Sequence, residues 1–256
     1  MNDRWLRCRA PRADPRVRVV CFPHAGGTAG PYAAWGAALD GRTELSAVQY
    51  PGREERIEEP PPHDLDALLS GVCRALLPLA GRPLVLFGHS LGAVVAYETA
   101  RRLTRQGAPP ARLVVSGRRA PCVPVTGDLH TRSDDALVAE LARLGATSAE
   151  LLAEPAFRTV YLPAVRADFA LAETYRYAPA GPLPCPVTAV IGAADTEVDH
   201  DQASRWAAHT TGAFTLHTVP GGHFWFVPDD TGVLHLLRTA AHEASRPVPS
   251  ESETPA

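Results

Sequence analysis

Short apolar runs alternate with helical patterns along most of the chain. Residues 84–87 are apolar at every position, which is typical of a strand that is covered on both faces of a parallel sheet. Runs of similar character predict further strands at residues 17–22, 45–50, 113–115, 187–191 and 214–219. Helical patterns lie between these runs, including residues 64–79 and 91–106. This alternation predicts an α/β fold with a mostly parallel central sheet flanked by helices.

One long interval, about residues 118–179, lacks a strand pattern. Leu137, Leu141 and Leu144 recur at helical spacing, and a second helical pattern covers residues 155–175. A crossover between parallel strands needs only about a dozen residues, so the length favours a helical insertion, with ordinary crossover helices as the alternative. We therefore predict one domain that contains this insertion. This domain spans residues 17–244. A flexible N-terminal segment at 1–16 precedes it, and a Pro-, Ser- and Glu-rich disordered tail at 245–256 follows it.

Composition and charge exclude several classes of protein. The net charge of −3 over 256 residues argues against a nucleic-acid binder, since such domains are usually strongly basic. No stretch approaches the ~18 apolar residues of a membrane span, and no apolar run follows the arginine-rich N-terminus as it would in a secretory signal. Five widely spaced cysteines without a CxxC pair indicate neither a disulfide framework nor a zinc site. We expect a soluble, cytoplasmic protein with reduced thiols and no membrane partner.

The strongest chemical signal is the motif Gly88-His89-Ser90-Leu91-Gly92. It matches G-x-S-x-G, in which a sharp strand-to-helix turn presents a nucleophilic serine above the sheet of an α/β hydrolase. The motif directly follows the apolar run 84–87 and directly opens the helical pattern 91–106, as this turn requires. We predict Ser90 as the nucleophile of a serine hydrolase, and a structural role for the adjacent His89.

The catalytic base is predicted to be His223. In this fold the acid and then the histidine follow the serine along the chain. His223 ends the glycine-rich segment after the last predicted strand, where a base is expected. Five of the other nine histidines fit less well, because they precede or abut the serine, lie in the insertion, or lie within a strand: His24, His63, His89, His130 and His217.

The acid is predicted to be Asp195, which follows the end of the strand at 187–191. A carboxylate in that place can orient the imidazole and stabilise its cation. Asp199 and Asp201 remain rivals, and Glu197 fits less well. The acidic spacing over 195–201 is similar to a calcium loop, but His200 stands where that loop requires glycine. We therefore expect no metal and no other cofactor.

Two backbone amides are predicted to bind the oxyanion. One is the N–H of Leu91, directly after the nucleophile, and the other comes from the loop after an early strand. The segment 22–27, Phe-Pro-His-Ala-Gly-Gly, follows such a strand, and we assign the second donor to Ala25. An ordinary tight turn is the alternative for this segment.

With these motifs placed, nearly the whole chain resembles the type II thioesterases. The similar segments are FPHAGG at 22–27, QYPGREER at 49–56, GHSLG at 88–92, LPAVRADF at 162–169, YRY at 175–177 and GGHF at 221–224. The resemblance implies an α/β-hydrolase fold in which the insertion is a lid over an acyl chamber. It also places the family's catalytic serine, aspartate and histidine on Ser90, Asp195 and His223. Two departures are Leu91, where methionine is common, and Gly145-Ala146-Thr147, where Gly-Gly-Thr is frequent.

The resemblance also implies a substrate and a partner. Type II thioesterases remove aberrant or stalled acyl groups from the phosphopantetheine arm of acyl or peptidyl carrier proteins in polyketide or nonribosomal peptide biosynthesis. The alternatives are another esterase, a product-releasing acyltransferase or cyclase, and a non-catalytic partner of a synthase. The complete triad argues against the last of these. We expect a monomer.

Two sets of residues keep open interpretations. Arg53 and Arg56 could bind phosphate or acidic carrier helices, but Glu54, Glu55, Glu58 and Glu59 lie nearby and favour local ion pairs. The aromatic run 224–226 could line the acyl chamber or belong to the core.

Overall fold

The computed structural model describes residues 4–145 and 147–246 and contains a seven-stranded sheet. The strand order is β1-β3-β2-β4-β5-β6-β7; β1 is antiparallel to β3, and every other pair is parallel. The bounds are β1 Leu6–Arg7, β2 Val17–Phe22, β3 Thr43–Val48, β4 Leu84–His89, β5 Arg112–Ser116, β6 Val187–Gly192 and β7 Phe214–Val219. The predicted α/β class with a mostly parallel sheet is confirmed.

Helices cover both faces of this sheet. Their bounds are α1 Tyr32–Ala38, α2 Leu65–Leu76, α3 Leu91–Arg105, α4 Asp134–Leu144, α5 Ala149–Ala153, α6 Leu162–Thr174, α7 His200–Ser204 and α8 Thr231–Ala244. Short 3₁₀ turns occupy Glu54–Arg56, Leu77–Leu79, Leu129–Thr131 and Arg205–His209, and one π-helical turn occupies Phe157–Tyr161. None of the described helices is long and apolar enough to cross a lipid bilayer.

The alternation of side chains along the strands divides the core into two layers. Val85 and Phe87 of β4 face the layer that α1 and α8 cover, while Leu84 and Leu86 face the layer under α2 and α3. Successive side chains of a strand point to opposite faces, so a strand that is apolar at every position is buried on both. This explains why β4, which leads into Ser90, lies at the centre of the sheet.

The interval between β5 and β6 is helical. It holds α4, α5, the π-helical turn and α6, and no residue of its described part from 118 to 179 is in a strand. These helices share a small apolar cluster of their own, formed by Leu137, Leu141, Leu152, Phe157, Leu162 and Val165. The cluster lets these helices pack on one another, while Leu171 and Ala172 of α6 join the core layer under α2 and α3.

The N-terminal segment differs from its prediction. Residues 1–16 are predicted to be flexible, yet within residues 4–16 β1 pairs with β3, Trp5 packs against the core, and Arg9 binds Glu55 at 2.9 Å. A two-residue edge strand is too short to produce a periodic pattern, so the sequence does not reveal it. Of the tail predicted to be disordered, residues 247–256 lie outside the described residues, as does Ala146.

Candidate active site

Ser90 occupies a strained turn between β4 and α3. Its backbone has φ 54° and ψ −117°, and among the described residues only Glu54 is another non-glycine residue with positive φ. Such a conformation costs about 1–3 kcal/mol and persists only where the surroundings impose it. Here the N–H of Ser90 donates to the carbonyl of Ser116 on β5 at 2.8 Å. The turn therefore presents the serine at the carboxyl edge of the sheet, as the motif predicts.

Glycines on either side of Ser90 allow the turn to close. A Cβ atom at Gly88 would overlap the carbonyl oxygen of Gly92, and a Cβ atom at Gly92 would overlap the carbonyl oxygen of Phe22. Both clashes involve backbone atoms, which cannot move aside as a flexible side chain can. The two glycines thus bring β4, α3 and the loop after β2 into direct contact around Ser90.

We expect Gly92→Ala to destabilise the protein by about 4 kcal/mol or more, because the new methyl group must displace backbone. Gly81→Ala is the matched control, since a Cβ atom there meets nothing within 4 Å. Urea unfolding of both variants measures the difference. A Gly92→Ala variant as stable as the control would contradict the close approach of these segments.

His223 and Asp195 form a buried pair. The Nδ1 atom of His223 lies 3.0 Å from Oδ2 and 3.1 Å from Oδ1 of Asp195. The side chain of His223 is 5% exposed and that of Asp195 is 0% exposed. Because an ionised carboxylate only accepts hydrogen bonds, Nδ1–H donates to it and Nε2 is the nitrogen left to take up a proton.

The loops that carry this pair touch each other. Asp195 follows β6 and His223 follows β7; Ala194 N–H donates to the carbonyl of Gly221 at 2.8 Å. The rival acids are engaged elsewhere. Asp199 caps α7, the side chain of Asp201 is 97% exposed, and Glu197 pairs with Arg143. The structure thus brings Asp195, and not its rivals, to His223.

Two backbone N–H groups near Ser90 are free to bind a ligand oxygen. Gly27 N–H donates to the carbonyl of His24 at 2.9 Å, which forms a turn, and Ala25 N–H within that turn has no acceptor among the described residues. Leu91 is the first residue of α3, so its N–H has no acceptor within the helix. These are the two donors predicted from the sequence.

Ser90, His223 and Ala25 all line one cavity of about 610 Å³. Its volume lies within the range of small-molecule sites. The helical insertion supplies an apolar part of the wall, beside charged residues such as Arg132, Glu140 and Glu173. This apolar part is formed by Leu141, Leu144, Leu151, Phe157, Val165 and Phe169. The cavity can therefore hold an apolar group whose reacting end lies at the serine.

The aromatic run after His223 divides between the two roles that the sequence left open. Phe224 lines the cavity. Phe226 belongs to the core layer on β4 and contacts Trp35, with ring centroids 5.7 Å apart. Trp225 donates from its ring nitrogen to the Ser116 hydroxyl at 2.9 Å.

Two further histidines lie beside His223, and one of them, His24, also lines the cavity. His89 is fully buried, with Nδ1 3.0 Å from the Ser116 hydroxyl and its ring 4.7 Å from that of His223. Burial, and then the neighbouring His223, lowers the pKa of His89 well below its usual value. The same causes, in the same order, lower the pKa of His24 to about 3. Both imidazoles are neutral near pH 7.

This neutrality makes folding sensitive to acid. An unfolded histidine takes up a proton near pH 6.5, so between about pH 3 and pH 6.5 the unfolded chain binds more protons and stability falls as the pH falls. The expected loss from pH 7 to pH 5 through His24 is up to about 2 kcal/mol. His24→Asn should therefore lose about 2 kcal/mol less over this interval than His63→Asn, whose histidine is exposed. Urea unfolding at both pH values tests this, and equal losses would contradict it.

Arg53 and Arg56 have different partners. Arg56 binds Glu59 at 2.7 Å, a local ion pair as predicted. The local prediction is wrong for Arg53, which binds Asp168 on α6, 115 residues away, at 2.6 and 2.9 Å. Glu54, its neighbour, instead accepts the N–H of Gly30 at 3.0 Å. The side chain of Arg53 is buried, so it pairs with the carboxylate that tertiary packing brings to it.

No group of three or more His, Cys, Asp or Glu side chains within residues 4–145 and 147–246 is arranged to hold a metal ion.

Comparison with known proteins agrees with this geometry. The family model described as "Thioesterase domain" matches residues 17–242. The chain belongs to the thioesterase family. Among solved structures, the type II thioesterase BorB from the borrelidin biosynthetic cluster superimposes with a TM-score of 0.85 at 38% identity, over 94% of this chain and 98% of that one. RedJ, the thioesterase of the prodiginine pathway of Streptomyces coelicolor, gives 0.82 and 37%, over 90% of each chain.

Curated relatives place this thioesterase in the same group. It is 44% identical to the "Probable cadicidin biosynthesis thioesterase" of Streptomyces griseus, over 93% of this chain and 66% of that protein. It is 41% identical to "Thioesterase PikA5" of Streptomyces venezuelae, over 86% of this chain and 79% of that protein. The chain thus spans about two thirds of the length of the first relative. The α/β-hydrolase fold and the resemblance to type II thioesterases are confirmed.

Proposed function

We propose that this thioesterase hydrolyses acyl groups from the phosphopantetheine arm of acyl or peptidyl carrier proteins, and so frees synthases that carry aberrant or stalled chains. The observation that carries the proposal is the buried His223–Asp195 pair, whose histidine lines the same cavity as the strained Ser90. The relatives support the biosynthetic setting. BorB is described as a type II thioesterase of a biosynthetic cluster, and YbtT, 28% identical, as one from a yersiniabactin NRPS/PKS pathway.

The first half of the reaction forms an acyl-enzyme. Ser90 Oγ attacks the thioester carbonyl while Nε2 of His223 takes its proton, and Asp195 stabilises the resulting imidazolium. The N–H groups of Ala25 and Leu91 bind the oxyanion. When the intermediate collapses, the carbon–sulfur bond breaks and His223 returns its proton to the leaving phosphopantetheine sulfur.

The second half releases the acid. Nε2 of His223 takes a proton from water, whose oxygen attacks the acyl-enzyme carbonyl, and the same two amides bind the second oxyanion. The proton then returns to Ser90 Oγ as the ester bond breaks. In this scheme the reaction needs no cofactor, the insertion at 118–179 acts as a lid, and the apolar wall of the cavity receives the acyl chain. We also propose that the protein works as a cytoplasmic monomer.

Intact-protein mass spectrometry of a carrier protein loaded with an acetyl or propionyl group tests the proposal. We expect the wild-type protein to remove the acyl mass and leave the phosphopantetheine arm, and Ser90→Ala to leave the carrier loaded. A carrier that stays loaded while a simple ester is cleaved would replace the proposal with an esterase.

A further inference from the structure

A buried ion pair connects the insertion to the loop that supplies the oxyanion donor. Asp168 on α6 accepts hydrogen bonds from both terminal nitrogens of Arg53, at 2.6 and 2.9 Å. The side chains are 3% exposed for Arg53 and 0% exposed for Asp168. The mechanism above uses neither residue.

Both partners also bind the loop after β2. Asp168 Oδ2 accepts the N–H of Gly26 at 2.8 Å, and Nη1 of Arg53 donates to the carbonyl of Gly27 at 3.1 Å. The turn hydrogen bond from Gly27 N–H holds the carbonyl of His24. Since each peptide unit is planar, the His24 carbonyl orients the N–H of Ala25 that belongs to the same unit.

The loop needs such support because of its backbone conformation. Gly26 has φ +77°, and a Cβ atom there would lie 3.1 Å from Val165 Cγ2 on α6. Glycine has no side chain to pack, and it loses more backbone conformational freedom on folding than other residues do. Asp168 accepts from the peptide unit before the Gly26–Gly27 peptide, and Arg53 donates to the unit after it. These two hydrogen bonds restrict that freedom and leave Ala25 N–H as a donor without an acceptor among the described residues.

We propose that Arg53 and Asp168 are positioning residues for the oxyanion hole, which hold the Ala25 N–H in its catalytic orientation. A buried ion pair is a poor source of net stability, because desolvation offsets its attraction. Its value here lies in the orientation of the loop. Because Asp168 belongs to α6, the position of the donor depends on the seating of the insertion. This inference rests on the proposed role of Ser90 and Ala25.

The double variant Arg53→Met/Asp168→Leu removes the pair without leaving an unpaired buried charge. We expect kcat for an acyl thioester to fall about 10- to 100-fold, since a donor displaced by about 1 Å loses much of its effect. KM should change less than about threefold, because the donor acts mainly on the transition state. Arg53→Lys is the milder second variant. Lysine keeps a positive charge beside Asp168, but it has no planar fork that could also reach Gly27. We therefore expect a loss of kcat between those of the wild type and the double variant.

A matched control is the pair Arg18–Glu44, which joins β2 and β3 at 3.1 Å. Neither residue lines the cavity. Arg18→Met/Glu44→Leu should change stability but leave kcat as in the wild type. Thermal unfolding of every variant ensures that rates are compared on folded protein. A purely structural role would lower the melting temperature of the double variant without lowering kcat.

Labelling of Ser90 by a fluorophosphonate separates this inference from the proposed substrate. The serine oxygen bonds to phosphorus, fluoride leaves, and the phosphoryl oxygen occupies the oxyanion site, so no carrier protein is involved. We expect the labelling rate of Arg53→Met/Asp168→Leu to fall by about the same factor as kcat. If the wild type is labelled but deacylates no carrier, the proposed substrate is wrong and the labelling rates still decide the role of the pair. Wild-type rates of labelling and turnover in the folded double variant, or a wild-type serine that does not react at all, would overturn the inference.

Discussion

Ser90→Ala is expected to lower kcat for thioester hydrolysis by about 10⁶-fold, the loss typical when the nucleophile of a serine triad is removed. Ser90→Gly should be equally inactive but more stable. With φ 54° at this position, any side chain with a Cβ atom is strained, and alanine keeps that atom. Glycine removes strain of about 1–3 kcal/mol but adds entropy to the unfolded chain. We expect Ser90→Gly to exceed Ser90→Ala by about 1 kcal/mol in unfolding free energy.

Steady-state turnover of an acyl thioester and urea unfolding of the three proteins measure both effects. Residual turnover within about 100-fold of the wild type would mean that another group attacks the thioester. If Ser90→Gly were less stable than Ser90→Ala, the backbone at this turn would not be strained.

Asp195→Asn is expected to lower kcat by about 10⁴-fold with little change in the fold. An asparagine amide can donate to Nδ1 of His223, which moves the ring proton to Nε2. That nitrogen can then no longer accept the proton of Ser90. The geometry of the pair, with both carboxylate oxygens near Nδ1, makes this reversal of the tautomer the expected outcome.

Asp201→Asn is the matched control, because its carboxylate lies in the same acidic segment and is almost fully exposed. Its kcat should stay within about twofold of the wild type, as surface changes away from a site usually have small effects. A large loss of kcat in Asp201→Asn, together with an active Asp195→Asn, would show that Asp201 and not Asp195 is the catalytic acid.

The sequence predicts much of the site because its chemistry lies in short motifs directly after strands. Ser90, Asp195 and His223 each follow a predicted strand, and the carboxyl ends of parallel strands meet at one edge of the sheet. Strand-helix alternation and the triad order of this fold therefore predict a common edge for the three residues. The structure places Asp195 against His223, and His223 in the same cavity as Ser90. Ala25 and Leu91 are backbone donors, so their positions depend on the turns and not on the identity of their side chains.

The sequence does not predict contacts between distant segments. Arg53 has acidic neighbours, so a local partner was the simplest interpretation, and its true partner is 115 residues away. Both segments belong to the motifs similar to type II thioesterases, but that resemblance does not show that they touch. The edge strand at Leu6–Arg7 is not predicted for a different reason, because two residues are too few to form a pattern.

The Arg53–Asp168 pair also restricts the routes by which this sequence can diverge. Exchange of either residue alone would leave an isolated charge in the interior, which is far more harmful than the loss of both. Descendants can therefore keep both residues or lose both, while intermediates with one of them are selected against. We expect the two positions to vary together among related sequences, although helices α2 to α5, strands β4 and β5 and the nucleophile turn separate them along the chain.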